Sequence, residues 1–326
     1  MSKYLLLIIF FSYSLLTSAQ SRGGEIMRSQ QKKSAKVTKP RSTQIKKRRT
    51  SSKRTATYNQ NDVENSDTDV DISPEQFFQW GEEDFYNKNY SEAKEWYEIA
   101  AIEGHTQAQY YLGWMYQFGR GCTKEIDAAI YWYSKAVENK HLKAARNLSL
   151  IFLYEKEDYI SAFVNAEKAA EWGDTIATAL LGYLYMTGTG AVENKVKAKQ
   201  CFDNSIPLLY NKGISLAFKN ISEGDAILYL AYTLWDTNGK YYGRACMHIG
   251  WIYYKGLNGN EVDYTEAFKF FNEASDNGNN VGKYLLGECY EYGRGTPLDK
   301  KKAKQYYKES NLTSKTAYLL ANSTNY

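Results

Sequence analysis

An alanine recurs at Ala93, Ala129, Ala162, Ala198, Ala267 and Ala303, at steps of 36, 33, 36, 69 and 36 residues. A glycine keeps the same rhythm at Gly113, Gly182, Gly250 and Gly287, with gaps of 69, 68 and 37. The long steps are close to twice the short ones, so each conceals a further copy. A fixed period in this range constrains a chain more than its composition does. One unit of this size cannot bury its apolar face alone, so copies must stack on one another. Residues 75–326 span 252 positions, room for seven units of about 36.

Each unit reads as two helices. AQYYLGWMYQFGRG (108–121) and GKYLLGECYEYGRG (282–295) share seven of fourteen positions. Related phrases stand at 177–190 and 245–259. In the first phrase Ala108, Leu112, Met115 and Tyr116 fall on one helical stripe. Small Ala108 and Gly113 admit a close neighbour. Gly119 and Gly121 then end the helix by supplying left-handed backbone. A second phrase follows each first one, with a stripe such as Ala129, Trp132, Tyr133 and Ala136. Its helix is expected to start at a capping side chain: Ser91, Thr123, Thr265 or Asp299. Two stretches depart from the pattern. Residues 141–173 carry Glu155-Lys156-Glu157 in place of the glycine loop. Residues 212–239 match poorly, and Pro207 should end or kink the helix before them. Period-two runs of Val, Ile and Thr are missing, so no sheet is expected.

The pattern A-x-x-x-L-G-x-x-Y-x-x-G-x-G, then A-x-x-[WYF]-[WYF]-x-x-A, resembles the Sel-one-like repeat, a branch of the tetratricopeptide superfamily. The resemblance covers about three quarters of the chain. It implies an all-α, right-handed superhelical solenoid of about seven helix-turn-helix repeats. It implies binding of a protein or peptide in a concave groove, as a scaffold or adaptor of the cell envelope or secretory pathway, and no catalysis. The groove side chains it implies are Tyr110, Trp114, Gln117, Arg146, Tyr183, Met247, Trp251, Tyr254, Tyr284 and Glu288. The set is rich in aromatics with a few polar groups, which suits a peptide or protein surface. The bland alternative is that several of these rings pack between units.

Some exported relatives have been credited with penicillin binding or weak β-lactamase activity. The chain does echo serine β-lactamase elements at Ser91/Lys94, Ser275-Asp276-Asn277 and Lys315-Thr316. Ser91 and Lys94 open a second helix, Ser275–Asn277 is an exit turn, and Lys315-Thr316 is followed by Ala rather than Gly. The echo therefore carries no expected chemistry. Three histidines and no CxxC pair exclude the usual metal-site spacings, and no cofactor is expected.

The N-terminus is a separate matter. Lys3, a 13-residue mostly apolar run from Tyr4 to Leu16, and Thr17-Ser18-Ala19 have the layout of a secretory signal cleaved before Gln20. Thirteen helical residues cover about 20 Å, short of the roughly 30 Å hydrocarbon core. Export to the periplasm, cell surface or medium is expected. Residues 20–74 read as a disordered linker, and 75–326 as the repeat domain. From Arg22 to Arg54 there are 13 Lys or Arg against one acid, Glu25. Setting aside that arm and Lys3 leaves 27 basic and 36 acidic residues, so a +4 chain divides into a basic tail and an acidic body. No aromatic interleaves the arm, so specific nucleic-acid binding is not expected. An anionic envelope polymer is the expected partner of the arm, and a solvated tether the alternative.

Cys246 lies four residues before Gly250 and Cys289 two after Gly287. On neighbouring helices that is a stagger of about 9 Å, and the interaxial gap adds to it. The sum exceeds the roughly 7 Å limit for a bridge. Four free thiols are expected, Cys122 the most reactive, in a monomer.

Overall fold

The computed structural model describes residues 72–217, 225–257 and 260–323. The expected signal peptide and basic arm lie outside the described residues. All regular structure among the described residues is helical. It falls into two compact units, one ending at Ile151 and the other beginning at Phe152.

The first unit holds α1 (Pro74–Tyr86), α2 (Tyr90–Ile102), α3 (Thr106–Phe118), α4 (Ile126–Glu138) and the start of α5 (Leu142–Tyr154). Ser73 caps α1 by accepting from the Gln76 N–H at 3.2 Å, and Pro74 takes the first helical position, where no N–H is needed. α1 packs on α2 and α3 on α4 as hairpins. In each, a glycine of the first helix lies against a ring of the second. A Cβ at Gly81 would sit 2.6 Å from the Tyr97 ring, and one at Gly113 2.7 Å from Tyr133. Both tyrosines are fully buried and stand four residues after the periodic Ala93 and Ala129. The alanine admits the helix, and the ring fills the space the glycine leaves.

The second unit continues with α6 (Tyr159–Glu171), α7 (Thr175–Thr187), α8 (Lys195–Ala217), α9 (Asp225–Thr233) and α10 (Tyr242–Lys255). It ends with α11 (Tyr264–Asp276), α12 (Asn280–Tyr292), α13 (Lys300–Ser310) and α14 (Ser314–Ala321). The same close approach recurs at Gly182, Gly250 and Gly287, where a Cβ would sit 2.7–2.8 Å from the rings of Phe202, Phe271 and Tyr307.

Pro207 does not end a helix. α8 runs 23 residues through it. One backbone donor is lost there, but Phe202, Ile206, Leu209, Tyr210 and Ile214 are buried on both sides of the proline. That burial, at about 1.5–3 kcal/mol per large apolar side chain, outweighs the missing bond. The second half of α8 then acts as a first helix. A Cβ at Gly213 would sit 2.7 Å from Leu230 of α9, and Leu230 stands four residues after a buried alanine, Ala226. The double step from Ala198 to Ala267 therefore conceals Ala226, and the poorly matching copy is a hairpin whose first helix is fused to the preceding repeat.

The two glycines of the G-x-G loop divide the work. Gly119, Gly188 and Gly293 are left-handed C-caps, as expected. Gly121, Gly190 and Gly295 instead face the preceding repeat. A Cβ there would lie 2.3, 1.9 and 2.0 Å from the carbonyl oxygens of Tyr90, Tyr159 and Tyr264, each in the first turn of the preceding second helix. Where the loop lacks glycine, Glu157 takes the left-handed conformation itself, at φ 54°.

Three expected caps are displaced. Ser91 lies inside α2, which begins at Tyr90. α4 begins at Ile126, after Glu125 rather than Thr123. α11 is capped by Asp263, which accepts from the Thr265 and Glu266 N–H groups at 3.0 Å. Asp299 does cap α13, accepting from Lys301 and Lys302.

Candidate functional site

Eight of the ten side chains read as groove-facing are buried; Arg146 and Tyr183 are half-exposed. In the first unit Tyr110 packs on the His141 ring at 4.6 Å, and Trp114 meets Phe85 at 5.4 Å and Phe118 at 5.3 Å. Gln117 accepts from the Tyr133 hydroxyl at 2.7 Å, and Asn147 donates to that same hydroxyl at 3.0 Å. Apart from the Trp114–Phe118 pair within α3, these contacts join different helices, so Tyr110, Trp114 and Gln117 are spent on packing and are not a free docking surface. The bland alternative describes these three.

The histidines also have structural work. His105 and His141 occupy N-cap positions, where Nδ1 accepts from the Ala108 and Ala144 N–H groups at 3.1 Å. Their rings stack on Phe78 and Tyr110 of the preceding first helix. Asp174 and Asn279 cap the corresponding helices α7 and α12 with oxygen instead, at 2.8 Å. The four share one job at one place in the repeat, which their differing chemistry hides in the sequence.

On α10 and α12 the arrangement is different. Three of the five residues read there as ligand-facing, Trp251, Tyr284 and Glu288, meet the last described helix, α14, and Tyr254 stands behind them. The Trp251 indole donates to Asn322 at 3.1 Å, and its ring takes the Tyr318 ring edge-on at 5.2 Å. Glu288 accepts from the hydroxyls of Tyr318 at 2.8 Å and Tyr254 at 3.1 Å. Tyr284 bonds Ser314 at the start of α14. The Lys255 ammonium lies 4.8–5.6 Å from the rings of Trp251, Tyr254 and Tyr318. The fifth, Met247, is wholly buried. Burial pushes the Glu288 carboxyl up, against the pull of the Tyr318 and Tyr254 hydroxyls and of Lys255 and Arg294. Arg294 in turn donates to the Tyr254 hydroxyl and lies against the Tyr254, Tyr264 and Tyr292 rings. The repeat pattern marked neither Lys255, whose contact with Tyr318 depends on α14 outside it, nor Arg294, whose partners are tyrosines of α10, α11 and α12.

No catalytic set assembles from the β-lactamase echo. Lys94 pairs with Glu98, and Ser91 is exposed. Ser275 is buried, and Asn277 ends α11 by donating to the Glu273 carbonyl at 2.8 Å. Among the described residues no group of His, Cys, Asp and Glu could hold a metal ion. No described helix is long and apolar enough to cross a membrane.

Hairpins that repeat one contact and stack by a second define an α-solenoid. A Sel1 repeat model matches residues 76–105, 106–141, 142–174, 175–204, 243–279 and 281–310, more than half of the chain. The chain belongs to the Sel1 repeat family. The gap between the fourth and fifth matches is the fused hairpin of α8 and α9. A chitin synthase regulator of Saccharomyces cerevisiae is 37% identical over 21% of this chain and 10% of its own length. An ERAD-associated E3 ubiquitin-protein ligase component of Arabidopsis thaliana is 26% identical over 64% of this chain and 42% of its own. The chain thus spans from a tenth to under half the length of these relatives. Among solved structures, a protective antigen of uropathogenic Escherichia coli displaying an SLR fold aligns at 21% identity, covering 84% of this chain and 56% of that one, with a TM-score of 0.45. A Sel1 repeat protein from Oxalobacter formigenes aligns at 26% identity, covering 75% and 84%, with a TM-score of 0.39.

Proposed function

We propose that this chain is a non-enzymatic scaffold whose first-helix faces receive segments of other proteins. One observation carries the reading: residues of α10 and α12 already grip a helix, the chain's own α14, through Trp251, Tyr284 and Glu288, the last held in place by Tyr254. A face that binds one helix through a buried carboxylate, an indole donor and an ammonium–aromatic contact has the chemistry of peptide recognition. The regulator and ligase-component roles in the relatives' names agree with an adaptor. We further propose export directed by residues 1–19, and attraction of anionic envelope polymers to the Arg22–Arg54 arm.

Affinity capture from cell-envelope extract, quantified by mass spectrometry, separates the two surfaces. Arg146→Glu and Tyr183→Ala change the two partly exposed groove positions, and far-UV circular dichroism checks that each variant stays folded, since Tyr183 also stacks on Trp235. A partner held by those faces is lost in these variants, and survives rising salt and removal of residues 20–56. A partner held by the arm behaves in the opposite way on every count. Retention in both variants and loss without the arm overturns the scaffold reading.

A further inference from the structure

We infer that α14 is a built-in competitor: it occupies a seat on α10 and α12 that an external helix takes by displacing it. This rests on the reading of the first-helix faces as protein-binding.

A helix that merely continued the stack would touch the last repeat alone. α14 touches that repeat through Tyr284 and Glu288, but reaches one repeat further back to Trp251 and Lys255. It therefore folds back across the first helices. The reversal takes three residues, Asn311 to Thr313, and Asn311 adopts the left-handed conformation at φ 53°. Little apolar surface anchors the helix. Only Ala317 and Ala321 of its eight residues are fully buried, and Leu319 is 70% exposed. Eight residues do not hold a helix in water unaided, so α14 exists by virtue of its seat.

The seat does not need α14 to stay intact. With Tyr318 gone, Glu288 keeps the Tyr254 hydroxyl, and the Lys255 and Arg294 charges remain beside it. Arg294 still donates to Tyr254, and the Lys255 ammonium still lies against Trp251 and Tyr254. What is released is one carboxylate acceptor site, one indole N–H and a shallow slot wide enough for alanine. The partner that fits is an amphipathic helix from another protein, with small residues at i and i+4, a tyrosine at i+1 for Glu288 and an amide at i+5 for Trp251. α14 supplies that set as Ala317, Ala321, Tyr318 and Asn322.

A fluorescein-labelled peptide of residues 311–323, titrated by anisotropy into the full chain and into Tyr318→Phe, tests this. Loss of a hydrogen bond to a carboxylate loosens the tethered helix but not the seat, so the variant binds the peptide about tenfold tighter or more. The same peptide carrying Phe in place of Tyr binds both chains about tenfold more weakly. Equal affinity for wild type and for a variant whose α14 hydrogen exchange shows to be open overturns the competitor and leaves the protein-binding face standing. Should hydrogen exchange show α14 still docked in Tyr318→Phe, Ala321→Glu puts a charge at a fully buried position and ejects it. A chain whose α14 is open by exchange and which still ignores the peptide overturns both readings. Concentration-dependent dimerisation of the wild type that the free peptide abolishes assigns the seat to a second copy's α14, and overturns the external partner.

Discussion

The second glycine of the G-x-G loop makes a strong demand that can be measured against a neighbour two residues away. Gly293 and Gly295 share a loop and a left-handed backbone, at φ 66° and 72°. Alanine in that conformation costs about 1–2 kcal/mol at either site. The gain from a less flexible unfolded chain is also common to both. The surroundings differ. A Cβ at Gly293 would find nothing nearer than 3.7 Å. A Cβ at Gly295 would lie 2.0 Å from the Tyr264 carbonyl oxygen, 2.6 Å from its carbon and 2.9 Å from the Phe268 Cβ. Two of those three atoms are backbone of the preceding repeat and cannot rotate away. Overpacking of this kind adds about 1–3 kcal/mol. Gly293→Ala should therefore cost about 1–2 kcal/mol and Gly295→Ala about 2–5 kcal/mol, the larger a sizeable share of a typical domain's 5–15 kcal/mol. Urea unfolding followed by far-UV circular dichroism measures both. The contact joins repeats rather than helices of one repeat, so Gly295→Ala should also lower the m-value, as coupling between repeats weakens. Equal destabilisation by the two variants would refute the assignment of Gly295, and by extension of Gly121 and Gly190, to the seam between repeats.

Two further outcomes follow from the titratable groups. Burial, helped by the Lys143 and Arg146 charges, lowers the His141 pKa from 6.5 to about 4, so the fold prefers the neutral ring. The stability it contributes is complete above pH 6.5 and is lost as pH falls from there towards 4. His141→Asn keeps a capping acceptor, as Asn279 does on α12, and removes the proton. Its melting temperature should depend less on pH across that window than the wild type's; what slope remains comes from His248, whose pKa burial and Arg244 lower to about 3, and from carboxyls that burial raises, such as Glu82 and Glu288. Equal slopes in variant and wild type would remove His141 from the account. All four cysteines are free thiols; Cys122 and Cys201 are half-buried, Cys246 and Cys289 buried, and burial raises the Cys289 thiol to about 12. Alkylation of the native protein should add two labels, and of the unfolded protein four, read by intact mass. A native count of four would show that the α10–α12 interior opens readily.

What was legible in the chain is what every copy must solve in the same way. Two helices that cross closely need an alanine on one, a glycine on the other and a ring to fill the gap, so Ala129, Gly113 and Tyr133 recur in register. The contact tolerates exchange, which is why one copy is faint. Ser149 stands where the others carry glycine, and Ala166 where they carry a ring. Leu230 replaces the ring beside Gly213. Features decided by loop geometry were less legible: Asp263 rather than Thr265 caps α11, because the cap depends on where the chain enters the helix and not on its apolar stripe. Pro207 misleads for a related reason, since burial of Phe202, Ile206 and Leu209 outweighs one lost hydrogen bond. The sequence left the burial of Trp114 as one of two alternatives, because a first-helix ring is open or closed according to what the neighbouring helices place over it. The same holds for Trp251 and Glu288, with one difference. What closes over them lies beyond the last repeat, is eight residues long and follows no period. Its seat is written in Trp251, Tyr254, Tyr284 and Glu288, positions that the repeat pattern does mark as ligand-facing. A periodic sequence thus announces where a helix can be received, and only the fold reveals that the chain supplies one itself.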